Sequence, residues 1–441
     1  MARLSIALLV ILVVILIIAV GSKTEWFQVN KLILLIYLRG LTFPNRFWWR
    51  VSDIVHDDLA GAQLFHSLKD GADPPKIFRP LYLLGHKNYL VLDIDHVKEI
   101  LDNSPWPFGV GQLKYNFFKS FMPENVGVST GCPWKMRRAV NEQVLFTDKL
   151  HPLLINIGLF LQKTSLPHNF ETFNDLAQKI AMLMVFGEKS SATLDARMFK
   201  MFVEANKLGI FRQKSPDIPS YQYFVQAVDN SIQQSQNSMI AIAEQLQLSR
   251  HELLQQAPHW LFPINGVLTV SLPRILALLA SYPEMMLRVR KELQSVNSLE
   301  QLWSTPKRST FLRRAIMETL RLNNTVVSLF RTLLVDYTFK KSGIKFDKST
   351  NFLILIAGFL RDPQYFPDPD QFIPDRWLDE ELQDSYANLI WSQGPQRCPG
   401  KELSINLLEL GVWNILTRTS SLTVSGVTRN LNPFSLHFAY N

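Results

Sequence analysis

The chain predicts a mainly α fold with a small β part, carried behind one N-terminal transmembrane helix. Three observations predict it. Apolar residues recur at the helical period along most of the chain, strand-like segments are few and far apart, and Leu4 to Val20 is an unbroken apolar run. With 441 residues, 47% of them hydrophobic and 19% charged, the chain is long enough to bury a large core. No long Gly/Ser linker, low-complexity tract or repeat period interrupts it, so one large domain behind the membrane segment is the simplest organisation.

The apolar run comes first. A helix of about 18 residues reaches roughly 27 Å, close to the hydrocarbon thickness of a bilayer. The competing reading is a signal peptide cleaved near Ala19-Val20-Gly21. Against it, the apolar core is longer than a signal h-region, and only Arg3 supplies the charged n-region. Lys23, Lys31 and Arg39 follow the run, which leaves the main body on the cytoplasmic side. Leu32 to Leu38 is too short to span and suits the membrane surface. The division is therefore 1–22 anchor, 23–49 membrane-proximal linker and 50–441 main domain.

Within that domain, Ile275 to Ala280 runs into Tyr282-Pro283-Glu284 and then Met285 to Leu293. This reads as a buried helix, a break and an amphipathic helix. Strands are expected at Tyr82–Leu84, Tyr89–Leu92 and Asn351–Ile356, making one sheet from distant pieces, with Pro-rich loops at 361–376.

Composition removes several function classes. Two cysteines, Cys132 and Cys398, allow neither a disulfide framework nor a multi-cysteine zinc site. A Cys132–Cys398 bridge and metal ligation by Cys398 exclude each other. The nine histidines show no metal-ligand spacing. The net charge of +8 comes without a basic stripe interleaved with aromatics, so nucleic acid is not an expected partner.

Three motifs carry chemistry. Trp391-Ser392-Gln393-Gly394-Pro395-Gln396-Arg397-Cys398-Pro399-Gly400 precedes a helical stretch, Lys401 to Thr417. A helix N-terminus lowers a thiol pKa through its partial positive charge and free N–H groups, and the glycines let a flat macrocycle approach. Haem ligation and a structural cysteine in a turn are the two readings of this segment alone. Glu318 and Arg321, at i and i+3 in the helical run Phe311 to Leu322, can pair, and Arg376 completes a Glu–Arg–Arg network that would pin the cysteine loop. Trp134 and Arg138, at i and i+4, form a face suited to clamping a carboxylate such as a haem propionate. A plain basic amphipathic helix is the other reading.

In this order and at these separations, Trp-x-x-x-Arg, Glu-x-x-Arg, Pro-x-Arg-Trp and Gly-x-x-x-Cys-x-Gly resemble the cytochrome P450 family from about residue 50 onward, and the anchor resembles its microsomal members. The resemblance implies the cytochrome P450 fold and haem b (iron protoporphyrin IX). It implies Cys398 as the iron ligand and Glu318, Arg321 and Arg376 as a structural triad. Trp134, Arg138 and Arg331 would hold propionates. Trp391 takes the place of a phenylalanine beside the thiolate, and Gly394, Arg397 and Gly400 belong to the haem-binding loop. A rival motif, Gly127-Val128-Ser129-Thr130-Gly131, fits a hydrolase nucleophile elbow, but Pro123-Glu124-Asn125 precedes it in place of a strand.

The chain departs from the family at two places. Gln396 stands where the family has an arginine, and Arg397 next to it is expected to face a redox partner. Counting back from Tyr282-Pro283-Glu284, the acid–alcohol pair that relays protons in monooxygenases falls at Gly266 and Val267, which can do neither job. This resembles in part the prostacyclin synthase, sterol hydroxylase and allene oxide synthase branches. Asn265 and Thr269 are the neighbouring residues able to hydrogen-bond.

The resemblance thus implies a monooxygenase acting on a lipophilic substrate with an NADPH-dependent reductase. A second expectation is an isomerase or lyase that rearranges a lipid hydroperoxide or endoperoxide, and a third is a non-catalytic haem protein. The expected setting is single-pass in the endoplasmic reticulum membrane as a monomer. The apolar stretch Phe202 to Tyr223 is the expected access region for a membrane-dissolved substrate.

Overall fold

The computed structural model describes residues 78–441 apart from 84–85, 119–121, 189–217, 235–236, 305–309, 327 and 430, together with Ala62, Phe65, His66 and Lys69. The anchor and linker expected at 1–22 and 23–49, and most of the expected access region, lie outside the described residues.

Helices carry most of the described chain. Those that build the site are α1 (Ile94–Asp102), α2 (Gly111–Phe118), α3 (Gly131–Val144), α4 (Thr147–Lys163), α5 (Phe170–Phe186), α6 (Arg250–Gly266), α7 (Leu272–Ser281), α8 (Pro283–Leu293), α9 (Phe311–Leu322) and α10 (Lys401–Thr417). Local chemistry sets several of their starts. Asp93 caps α1 by accepting from the His96 amide, and Asn169 with Thr172 forms a reciprocal cap on α5. Thr310 caps α9 and Ser249 caps α6. The ends of α9 and α10 match those expected from the sequence.

From Arg250 to Ser281 the helix is continuous, and it is the one described helix apolar and long enough to cross a membrane. Most of it is buried by α5, α10 and the elements around them, so it is the core helix of the domain. Its middle departs from α geometry: Val267–Ser271 is a π turn. Pro273 lies just beyond it. A proline ring has no N–H to give the carbonyl one turn back and crowds it, and a widened turn relieves that crowding.

Five strands form the main sheet in the order β1 (Phe78–Leu83), β2 (His86–Val91), β7 (Asn351–Leu355), β4 (Ser328–Leu333) and β3 (Phe108–Gly109). β2 and β7 run parallel and the other neighbours antiparallel, while β5 (Tyr337–Thr338) and β6 (Lys345–Phe346) pair as a separate antiparallel ribbon. The sheet is assembled from distant pieces, as expected, with β1 and β2 forming a hairpin. β4 was not among the expected strands. Its register with β7 sets Arg331 opposite Phe352, while Leu333 is buried on the side of an aromatic cluster containing Phe78, Phe108, Phe339 and Phe352. A separate void of about 10 Å³ among Ile157, Phe173, Leu268 and Leu407 is apolar core packing at the scale of a single water.

Candidate haem-thiolate site

Cys398 ends a loop that is fixed by its own backbone. Its amide donates to the Trp391 carbonyl at 2.8 Å, and the Arg397 amide donates to Gly394 at 3.1 Å. Gly394 has φ +71°, and a Cβ there would lie 2.5 Å from the carbonyl oxygen of Leu101 at the end of α1. Glycine is therefore required both for the left-handed backbone and for the close approach. The Gln393 side chain ties the loop to the carbonyls of Ser385 and Asn388.

The loop delivers the sulfur to the N-terminus of α10. Burial pushes the Cys398 thiol up, while the Gly400 N–H and the charges of Arg138 and Lys114 pull it down. Burial dominates its protonation, yet Cys398 keeps some accessible surface. Both hold because protein surrounds the thiol densely and still leaves an open space beside it.

Around that space stand cations. Trp134 and Arg138 are buried together on α3; Arg138 donates to the Arg397 carbonyl at 2.5 Å and to Glu142 at 2.7 Å. Arg331 on β4 is buried, donates to the Ser104 hydroxyl at 3.1 Å and has its pKa lowered to about 10 by burial. Lys114 on α2 is lowered to about 8, first by burial and then by Arg331, with the Cys398 charge opposing. His259 on α6 is lowered to about 4 by burial and by Lys114. Protein surrounds Lys114, His259 and Cys398 densely, yet Lys114 is solvent-exposed and His259 and Cys398 are half-buried. Sequence reasoning missed Lys114 and His259. The one signal was a lysine inside the apolar-aromatic stretch of α2, which no motif singles out.

The Glu–Arg–Arg network assembles. Glu318 is fully buried and accepts from Arg321 at 2.8 and 2.9 Å, Arg376 at 3.0 Å, the Trp377 indole at 2.9 Å and the Ile373 amide at 3.0 Å. Arg321 also holds the carbonyls of Leu360, Pro369 and Gln371. Its direct contacts therefore pin the segment from Leu360 to Trp377. The cysteine loop is held instead by its own backbone, Arg138 and the packing of Gly394, a correction to the expected pinning.

Arg397 turns outward. Its side chain is exposed and only its carbonyl reaches the interior, because side chains one residue apart on an extended loop point oppositely. Gln396 is the more interior neighbour, and its Oε1 is buried without a partner among the described residues. Trp391 is half-buried against the core. At the end of α6, Asn265 donates to the Thr269 hydroxyl at 3.3 Å across the π turn, with Gly266 buried between them. The Gly127–Gly131 segment is not an elbow: Ser129 donates to the carbonyls of Glu124 and Asn125 and accepts from Arg137.

A thiol at a helix N-terminus, glycine-lined approaches and buried cations fit a flat, dianionic, iron-bearing macrocycle, so fold and site together define a haem-thiolate protein. Residues 212–435, just over half of the chain, match the sequence profile of the family described as Cytochrome P450. The chain belongs to the cytochrome P450 family, and with it goes haem as prosthetic group. It is 32% identical over 167 residues to cytochrome P450 4V2 of Rattus norvegicus, covering 36% of this chain and 31% of that one. It is 25% identical over 255 residues to cytochrome P450 6l1 of Blattella germanica, covering 53% and 50%. These alignments thus span a third to a half of the curated relatives. The solved structure of retinoic acid bound cyanobacterial CYP120A1 superposes with a TM-score of 0.68 at 18% identity, over 85% of this chain and 94% of that one. This likeness extends the fold to nearly all the described residues.

Proposed function

We propose that the protein is a membrane-anchored haem-thiolate monooxygenase that oxidises a lipophilic substrate with electrons from an NADPH-dependent reductase. The observation that carries this reading is the Cys398 sulfur, held by the Gly400 N–H at the start of α10 and facing the positive charges of Arg138 and Lys114. Haem ligated there would supply oxygen chemistry, with thiolate electron density favouring O–O cleavage.

The chain's own residues do the rest. Trp134, Arg138 and Arg331 hold propionate charge, and the Glu318 network keeps α9 and the Leu360–Trp377 segment in register. The apolar flanks of α6 exclude water, and Asn265 with Thr269 is the hydrogen-bonding pair nearest to Gly266. Residues 1–22 serve as the anchor and 23–49 as the membrane-proximal linker, which places the 50–441 domain on the cytoplasmic side of the endoplasmic reticulum as a monomer. Arg397 and Lys401 lie beside the cysteine loop, where an acidic electron donor would dock.

A second reading is favoured by Gly266 and Val267, which offer no acid or alcohol. In it the same site rearranges a lipid hydroperoxide or endoperoxide without a reductase. The test starts with haem-loaded protein, reduced and exposed to carbon monoxide. The red-shifted Soret band of a thiolate-ligated iron should appear and be lost in Cys398→Ala. Turnover with NADPH and reductase supports the first reading. Turnover with lipid hydroperoxide alone supports the second, and absence of the band sinks both.

A further inference from the structure

The π turn at Val267–Ser271 divides the central helix into two flanks. A π turn closes on i→i+5 bonds and so holds one residue more than an α turn. To expel that residue, one flank must rotate by about 100° and slide by about 1.5 Å against the other. Neither flank is free to do so.

The flank before the turn is clasped to the loop that precedes α3. Gln255 accepts from the Glu124 amide at 3.1 Å and Gln256 from the Val126 amide at 3.2 Å. Arg137 bridges Glu252, Glu124 and Ser129, and the Trp260 indole donates to Asn141 on α3 at 2.7 Å. The flank beyond the turn is tied to other segments. Ser281 and Thr319 donate to the carbonyl four residues back, the ordinary local bond of a helical hydroxyl. Ser271 reaches outward instead, and its hydroxyl lies 3.0 Å from that of Thr325 in the connection between α9 and β4. Three residues on, Arg274 donates to the carbonyl of Asn323, which ends α9, at 3.2 Å, and to the Leu431 carbonyl at 3.1 Å. Ser271 and Arg274 are each only 1% exposed. A guanidinium is costly to bury and an apolar side chain could fill its space, so what Arg274 contributes is its hold on two separate segments.

We propose that Ser271 and Arg274 are positioning residues that lock the π turn and so keep Asn265 and Thr269 paired beside Gly266, as the hydrogen-bonding group offered to a haem-bound ligand. The proposal rests on the haem-thiolate reading. Asn265 donates to Thr269 at 3.3 Å, which leaves the hydroxyl its own hydrogen for a further acceptor. Ser271 and Arg274 are sealed within the protein and act only through the turn.

The test uses full-length, haem-loaded protein with carbon monoxide as the probe ligand. A hydrogen-bond donor beside bound carbon monoxide lowers its C–O stretching frequency, which infrared absorption reads without turnover. Haem content and the thiolate Soret band are measured on the same samples. Wild type should show a lower-frequency band in excess of a higher-frequency one. In Ser271→Ala and in Thr325→Val the ratio should move toward the higher-frequency band by about fivefold, the scale of one net hydrogen bond. The double variant should move it no further, because both changes remove the same bond. Thr325→Ser, which keeps the hydroxyl, should keep the wild-type ratio, and Arg274→Met should shift it in the fraction that retains haem. An unmoved ratio in Ser271→Ala and Thr325→Val, with the thiolate band intact, overturns the proposal and leaves the haem-thiolate reading standing. Additive shifts in the double variant, or an equal shift in Thr325→Ser, also overturn it, because packing and not the hydroxyl bond then decides. Absence of the thiolate band in wild type removes the underlying reading and the proposal with it.

Discussion

Replacing Glu318 by glutamine should damage this protein more than almost any other single isosteric change. Glu318 is fully buried and neutralises two guanidiniums, Arg321 with its side chain entirely covered and Arg376 nearly so. The glutamine keeps one acceptor oxygen but turns the other into a donor aimed at arginine or indole N–H groups. Breaking a buried ion pair by removing one partner costs about 3–5 kcal/mol, against a net stability of about 5–15 kcal/mol. The thermal midpoint should then fall by roughly 4–6 °C at a fixed scan rate, with haem lost earlier in the same scan. The assay is differential scanning fluorimetry with Soret absorbance on the same samples. A glutamine variant melting within about 1 °C of wild type would refute the reasoning, since a loss of that size is far below the cost of an unpaired buried charge.

Other perturbations follow from the same geometry. Gly394→Ala forces a Cβ toward the Leu101 carbonyl at a left-handed backbone position, and should cost about 1–3 kcal/mol locally; the readout is a reduced fraction of thiolate-ligated haem, and an unaltered fraction would count against it. Thr269→Val removes the acceptor of Asn265; coupling of NADPH use to product should drop while turnover with an added hydroperoxide is kept, and equal loss in both assays would show a packing role. Asp375 is held below the usual carboxylate range by hydrogen bonds from Arg288 and then Arg314, with burial opposing. Its folded pKa is depressed, so the stability it adds is full above the unfolded value of about 4 and lost as pH falls through the folded one. The pair is half-exposed, so Asp375→Asn should differ from wild type by no more than about 1 kcal/mol at neutral pH and converge with it in acid.

Much of this was legible in the chain and some was not, for definite reasons. α9 and α10 could be bounded because periodicity and turn residues coincide at their ends. Cys398, Trp134, Arg138 and the Glu318 network could be found because each lies in a short spacing whose chemistry is local. β4 escaped because Ser328–Leu333 lacks a clean alternation, and its strand identity comes from pairing with β7 and β3. The π turn escaped because helical counting assumes one period throughout. Lys114 and His259 escaped because neither falls in a short spacing with a recognisable chemistry. The reach of the Glu–Arg–Arg network was overestimated for a related reason: sequence shows which charges can pair, but not which carbonyls lie within an arginine's span.

The clasp between α6 and the loop before α3 has a kinetic consequence. Two glutamines, an arginine bridge and an indole hydrogen bond join wall and helix into one mechanical unit, so opening this side would break all of them together. Amides of Glu124 and Val126 should therefore exchange with solvent only in rare large fluctuations. A ligand's residence time is then governed by how readily some other wall yields, and this side acts as the fixed jaw against which it is held.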